Sequence, residues 1–309
     1  MKPVPLSEAG AVQSPCNGDT LNLGTTTTSG YTYLWTPSSQ LNSTTISNPQ
    51  LIVSNAGPGI DTLSYHVTTT LNGCTSSDST TIFVNPLPVV QASASPTAIC
   101  LGSSTTLTGT GTSANYNWAT LTSPGTSIGT GASISVSPTS SISYIVTGTS
   151  SATCVNKDTI AITVNQLPTV TITSANDTIC SGDSIQLIGN GASTYLWYAL
   201  GNATSIGSGN NIYVAPTADS TYILQGSDAN LCQNRDTISI AVSPAATISG
   251  ITGTISLCPG VTGVSYWINP TNPNSSYQWT ISNGTLSSGQ GNAVSCSIVN
   301  TNGIYSLYS

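Results

Sequence analysis

Eight cysteines, at 16, 74, 100, 154, 180, 232, 258 and 296, are the side chains of this 309-residue chain best suited to chemistry. Their thiols can hold a metal or oxidise to disulfides. Zinc sites use pairs spaced C-x2-4-C, and no such pair occurs. An even number of cysteines spread at wide intervals points instead to disulfides formed in an oxidising compartment. The other reactive groups are sparse. His66 is the single histidine and lies between Tyr65 and Val67, where alternation turns it to the solvated face, so no nucleophile has a second His to work with. Glu8 is the single glutamate and the aspartates stand at the starts of strand-like runs, which leaves no carboxylate pair across a cleft for sugar hydrolysis. Asp177 and Asp183 flank Cys180, and Asp158 and Asp236 stand at turns, but no D-x-D-x-D loop assembles six oxygens, so structural calcium is a minor expectation. The chain is expected to be neither an enzyme nor a holder of a cofactor.

Composition narrows the partners. Lys2, Lys157 and Arg235 are the only strong cations in a chain that is 4% charged with a net charge of −7, so there is no basic patch for nucleic acid or an anionic bilayer. No run of about 18 apolar residues is present to insert into a membrane. With 38% apolar residues and regularly spaced Trp and Tyr, the chain is folded, and Ser, Thr, Asn and Gly supply its solubility. Met1 to Gly10 lacks an apolar signal-peptide core, so the chain reads as part of a longer secreted precursor, extracellular and at the cell surface.

The elements that must position the cysteines recur. Asn85-Pro-Leu-Pro88 and Asn165-Gln-Leu-Pro168 mark two module ends, and Val242 to Pro244 is a weaker third mark. Between them runs one order of landmarks: Cys16, Gly18, Asp19, Trp35, Tyr65, Cys74 and Asp78; then Cys100, Gly102, Ser103, Trp118, Tyr144, Cys154 and Asp158; then Cys180, Gly182, Asp183, Trp197, Tyr222, Cys232 and Asp236. The Cys-to-Trp spacings of 19, 18 and 17 residues make this a repeat. Runs such as Thr159-Ile-Ala-Ile-Thr-Val and Thr237-Ile-Ser-Ile-Ala-Val alternate with period two, and Gly-, Ser- and Pro-rich segments break them into about seven short strands per module. The predicted fold is all-β, with tandem Ig-like and PKD-like β-sandwich modules arranged end to end as a rod. The predicted divisions are an N-terminal segment (1–13), Ig-like modules at 14–88, 89–168 and 169–244, and an incomplete PKD-like module at 245–309.

Unlike antibody domains, where the second Cys lies two residues after the corner Tyr, the second Cys here follows Tyr65, Tyr144 and Tyr222 by nine or ten residues. The predicted bridges therefore tie the start of the second strand to the turn before the last one, within each module: Cys16–Cys74, Cys100–Cys154 and Cys180–Cys232. In module four Cys296 pairs either with Cys258 or with a residue beyond Ser309. Trp35, Trp118, Trp197 and Trp279 take the core position of their modules, and Trp267 is the one candidate for a surface role.

C-x-G-[DS], Tyr33-Leu-Trp-Thr-Pro, Tyr195-Leu-Trp-Tyr, Asn72-Gly-Cys and, in module four, Tyr277-Gln-Trp-Thr-Ile-Ser-Asn-Gly resemble the Ig-like and PKD-like repeats of large Bacteroidota surface proteins, such as gliding-motility adhesins exported by type IX secretion. The resemblance covers nearly the whole chain and implies a structural or adhesive stalk. It also gives a meaning to the aspartates, eight of nine of which precede Ser or Thr. The D-[ST] pattern resembles the O-glycosylation acceptor of that group and implies sugars on Thr20, Thr62, Ser79, Thr159, Thr178, Ser184, Ser220 and Thr237. Read from the residues alone, Asp closes a turn and Ser or Thr opens the next strand. Expected partners are other modules of the same long chain, covalent glycans, and surface polysaccharide or neighbouring subunits that complete the unfinished sheet. Non-catalytic spacer or carbohydrate-binding modules of a secreted hydrolase are the alternative reading.

Overall fold

The computed structural model describes residues 4–243 throughout and, beyond them, the backbone of six strands between 248 and 308. Every regular element among the described residues is a strand. The first module has β1 (Thr20–Asn22), β2 (Thr32–Thr36), β3 (Gln50–Ile52), β4 (Asp61–Leu71) and β5 (Cys74–Val84), with β1 paired to β3 and β2 to β4 to β5. The second has β6 (Val90–Ser95), β7 (Ala98–Cys100), β8 (Thr105–Gly111), β9 (Asn115–Thr120), β10 (Ser123–Thr130), β11 (Ser133–Val136), β12 (Ile142–Thr149) and β13 (Val155–Asn165). These form a sheet of order β10-β9-β12-β13-β7 and a sheet of order β11-β8-β6.

The third module repeats the plan with β14 (Thr171–Ser174), β15 (Thr178–Cys180), β16 (Ile185–Asn190), β17 (Thr194–Ala199), β18 (Gly207–Ser208), β19 (Asn211–Val214), β20 (Ser220–Ser227) and β21 (Gln233–Ser243). Its sheets are β15-β21-β20-β17-β18 and β14-β16-β19. In the last module β22 (Ile248–Thr252), β23 (Val264–Pro270), β26 (Ala293–Ile298) and β25 (Gly284–Ser288) form one sheet in that order, and β24 (Thr280–Ile281) pairs with β27 (Leu307–Tyr308). The side chains of Cys258, Trp267, Trp279 and Cys296, and with them the expected bridge of that module, lie outside the described residues.

Period-two patterning builds each core. Along β4, β12 and β20 every second residue is buried (Tyr65, Val67, Thr69; Tyr144, Val146, Gly148; Tyr222, Leu224, Gly226), while His66 between the first two is exposed as its neighbours require. The indoles of Trp35, Trp118 and Trp197 are at most 1% exposed. Each donates its ring N–H to a backbone carbonyl, those of Ile46, Gly131 and Gly209, at 3.0, 3.2 and 2.9 Å, which removes the cost of burying a polar tip. A Cβ at Gly189 would collide with Leu224 and press on Tyr195 and Trp197, so a glycine floor lets the indole close the core.

One aspartate per module ties the start of the module to its last strand. Asp78, Asp158 and Asp236 each accept, through Oδ2, the backbone N–H of Ala9, Ala92 or Ile172, at 2.8, 2.7 and 2.8 Å. This contact corrects the division at residue 13. Ala9 is fully buried in the first core, Gly24 donates its N–H to the Ala9 carbonyl at 3.0 Å, and Gln13 bridges to Ile82, so that stretch is part of module one.

Candidate functional site at the module junction

The C-x-G-[DS] motif is a turn. Asp19, Ser103 and Asp183 donate their N–H to the carbonyls of Cys16, Cys100 and Cys180 at 3.1, 2.9 and 3.0 Å. Gly18, Gly102 and Gly182 sit between them at φ +89°, +88° and +85°, the third position of a type II turn, which only glycine takes without strain. What precedes the turn sets where its cysteine lies. β7 runs parallel to β13 with Cys100 opposite Asn165, and β15 runs parallel to β21 with Cys180 opposite Ser243. Cys16 bridges in parallel to Asn85. Each first cysteine thus lies at the exit pole of its module, beside the residue that ends the last strand.

The second cysteines lie at the opposite pole. Cys74 closes the β4–β5 hairpin through Asn72 (φ 50°) and Gly73 (φ 82°), the two left-handed residues of a type I′ turn. Cys154 closes a longer turn: Ser150 and Cys154 exchange N–H bonds, one to a carbonyl at 2.8 Å and one to the Ser150 hydroxyl at 3.2 Å. In module three Asp228 takes the serine's place and accepts the Cys232 N–H at 2.8 Å. Asn156 and Asn234 donate to the carbonyls of Pro88 and Pro168, both at 3.0 Å, which marks this end as the entry pole where the chain comes in.

This geometry overturns the three predicted bridges. An eleven-residue strand separates the two poles of module one, about 35 Å at the usual rise, whereas a disulfide needs Cα atoms within about 7 Å. Cys16 therefore bonds not to Cys74 but to Cys154, with Cα atoms 5.5 Å apart and a sequence separation of 138. Cys154 is in consequence lost to Cys100, and Cys74 and Cys180 are free thiols, so Cys100–Cys154 and Cys180–Cys232 fall as well. Cys100 and Cys232 are each disulfide-bonded. The Cys16–Cys154 bond joins the exit pole of module one to the entry pole of module two, and both modules belong to one compact unit, 1–167.

The linker inside this staple is itself fixed. Asn85 is 8% exposed, and its side-chain amide donates to the carbonyls of Ser14 and Pro15 at 3.1 and 3.2 Å. Val89 and Thr112 exchange bonds, N–H to Oγ1 at 2.8 Å and N–H to carbonyl at 3.0 Å. A shallow cleft lined by Asn55, Pro58, Pro86, Leu87, Pro88 and Val89 runs along it.

The hydroxyls of Thr20, Thr62, Ser79, Thr159, Thr178, Ser184 and Thr237 lie on exposed residues, and that of Ser220 on a half-buried one. Six of the eight preceding carboxylates accept backbone N–H groups. Besides Asp78, Asp158 and Asp236, Asp19 takes that of Cys16, Asp61 that of Thr62 and Asp219 that of Val242. Much of the D-[ST] pattern is therefore accounted for by turn and strand-end chemistry. Among the described residues no three of His, Cys, Asp and Glu gather as a metal site.

Comparison with known proteins decides the family. The model of the "Ig-like domain CHU_C associated" matches residues 86–168 and again 166–244, two consecutive copies covering more than half of the chain. The chain belongs to this family. Residues 244–304 match a PKD-like domain. No curated protein sequence matches. Solved structures with similar folds include titin domains I67–I69 (14% identity, TM-score 0.38, 76% of this chain and 97% of that one) and the mouse nectin-like molecule 4 ectodomain (12%, TM-score 0.33, 78% and 100%). A third is the fibronectin(III)-like module structure of Clostridium thermocellum CbhA (11%, TM-score 0.31, 51% and 95%). The CHU_C-associated modules thus come in series, followed by one of PKD-like type, and the chain is all-β with disulfides among its modules.

Proposed function

We propose that the chain is a load-bearing stalk segment of a secreted cell-surface adhesin, non-catalytic and anchored by its neighbours in a longer polypeptide. The observation that carries this reading is the Cys16–Cys154 bond, which crosses from the first β module to the CHU_C-associated module that follows it. A disulfide confined to one module stabilises that module; one that spans two passes tension around the linker and shields both folds from being drawn out. Such a bond forms in an oxidising compartment, which supports the extracellular reading.

Force spectroscopy on the chain held at its two ends tests the mechanical part. Reduction is expected to release about 460–500 Å of additional contour length, the extended span of the 138-residue separation of the two cysteines. Equal extension before and after reduction ends the reading. Antibody labelling of intact cells tests the location, and labelling only after lysis rejects it.

The stalk is also proposed to carry O-linked sugars on Thr20, Thr62, Ser79, Thr159, Thr178, Ser184, Ser220 and Thr237. Exposure of all but Ser220 supports this, as does the need of a surface with 4% charged residues for added solvation. The intact mass of protein secreted by its own cells decides it, and a bare polypeptide mass rejects it.

A further inference from the structure

Two of the three strong cations of the chain stand at the same place on successive modules. In module three the register runs Arg235↔Gln225↔Leu196↔Ser208 across β21, β20, β17 and β18. In module two it runs Lys157↔Thr147↔Asn117↔Thr130 across β13, β12, β9 and β10. Directly paired residues project from the same face of a sheet, so each row lies on the outer face and spans about 14 Å. Both rows end in a shallow cleft. Leu196, Ser208 and Gly209 line one of about 650 Å³, and Asn117, Thr130 and Gly131 line one of about 550 Å³. The carbonyls of Gly209 and Gly131 are those that hold the Trp197 and Trp118 indoles, so the two clefts are counterparts.

Arg235 is held in place with its charge intact. Its Nε donates to Gln225 Oε1 at 2.9 Å and Nη2 donates to the same oxygen, while the guanidinium lies 5.9 Å from the centroid of the Tyr198 ring. Gln225 is fixed in turn, donating from Nε2 to Gln233 Oε1 at 3.1 Å. An amide oxygen and a ring face orient the guanidinium without cancelling its charge. Asp236 follows it in sequence, but alternation turns that carboxylate to the other face, where it accepts the N–H groups of Ile172 and Thr237. Asp158, beside Lys157, is occupied in the same way by Ala92 and Thr159. Module one has Ser77, Thr68 and Leu34 in this row and no cation.

We infer that this face of modules two and three binds an acidic polysaccharide, with a sugar carboxylate on the cation and the rings that follow laid along the row into the cleft. One cation per module matches a polymer whose charges are sparse and separated by hydroxyl-bearing rings, unlike the dense phosphates of nucleic acid. The remainder of each row is amide and hydroxyl, with Leu196 as an apolar floor in module three, and such groups donate to, accept from and pack against sugar rings. The direction of the row argues against a peptide. It crosses the strands, where main-chain groups are already paired, whereas an added peptide strand runs along a sheet edge. Arg235, with its planar fork, and Leu196 make module three the tighter site, and Lys157 and Asn117 make module two the weaker one.

The inference deepens the adhesin reading by naming a class of ligand, and the two fail separately. Binding by the purified chain depends neither on where the cell places it nor on the Cys16–Cys154 bond, which cell labelling and force spectroscopy test. The recombinant chain, free of sugars on Thr159 and Thr237 one row away on the same face, is titrated by calorimetry. The probes are polygalacturonate, alginate and hyaluronate, each beside its carboxyl-reduced form, and polyglutamate. Binding to at least one acidic polysaccharide is expected, and its loss on carboxyl reduction. Arg235→Gln should weaken it at least about tenfold and Lys157→Gln about threefold, with urea midpoints unchanged and Arg235→Lys falling between Arg235→Gln and the parent chain. Binding to none of the three polysaccharides, binding that survives carboxyl reduction, equal affinity with and without Arg235, or binding to polyglutamate alone overturns the inference. Each of these outcomes leaves the stalk standing.

Discussion

Cys16 and Cys180 share a turn, a parallel partner strand and a place at the exit pole, yet one is joined to Cys154 and the other is a thiol. Nothing inside either module accounts for the difference. The bond is a property of the junction: it forms where the entry pole of a neighbour brings a turn cysteine within reach. The comparison is open to attack at either cysteine.

The largest effect is expected from Cys16→Ser. Opening a loop of this length is expected to lower stability by about 2–4 kcal/mol and to split one transition of the 1–167 unit into two. Denaturant melts followed by tryptophan fluorescence measure both, with Cys180→Ser in the same chain shifting the midpoint by less than about 0.5 kcal/mol. A loss as large at Cys180 as at Cys16 breaks the comparison.

Next is Asp158→Ala, which strips the partner from the Ala92 and Thr159 N–H groups and frees the first strand of module two from its last. A cost of about 1–3 kcal/mol is expected. Asp236→Ala should cost as much in module three, where Ile172 and Thr237 lose the same partner. Matching losses in urea titrations make this clasp a property of the module and leave only the staple to the junction. The glycine turn sharpens the point on a smaller scale. Nothing stands within 4 Å of a Cβ at Gly18 or Gly182, so Gly→Ala at either is expected to cost only the left-handed backbone penalty, about 1–2 kcal/mol. If Gly18→Ala costs clearly more than Gly182→Ala in thermal melts, the turn and the staple are coupled.

What the sequence disclosed and what it hid follow from the range of the interactions. The repeat, the strands, the buried Trp35, Trp118 and Trp197 and the cysteine turns before the last strands rest on local periodicity and turn residues, and all were readable. The pole of the first cysteine was not. It is fixed by three-residue strands, Ala98–Cys100 and Thr178–Cys180, that pair in parallel with residues more than sixty positions away. Three residues carry no period, and a parallel pairing leaves no hairpin signal. Without that strand, Cys16 falls at the start of β1 and Cys74 becomes its natural partner. The aspartates carry two readings for the complementary reason. Asp78 and Ala9 are 69 residues apart, so a strand clasp left only a local trace, Asp before Ser, that a modification signal shares.

The smallest effect belongs to that clasp in module one. The carboxyl of Asp78 is held below its ordinary value of 3.8, first by the N–H of Ala9, then by that of Ser79, with a smaller share from the charge of His66, and burial opposes all three. Because the folded value is the lower one, the carboxylate stabilises the module fully above pH 3.8 and progressively less as pH falls through the folded value. Urea melts of the Cys16→Ser chain, in which module one unfolds by itself, are expected to show a midpoint that drops between about pH 5 and about pH 2. Asp78→Asn removes the titrating group while keeping an acceptor for Ala9, so its midpoint should move less over the same interval. Equal drops in the two chains would take the acid sensitivity away from Asp78. In the stapled chain the drop should be spread over both modules, since the stretch around Ala9 can then loosen only against a fold held at its exit pole by Cys154.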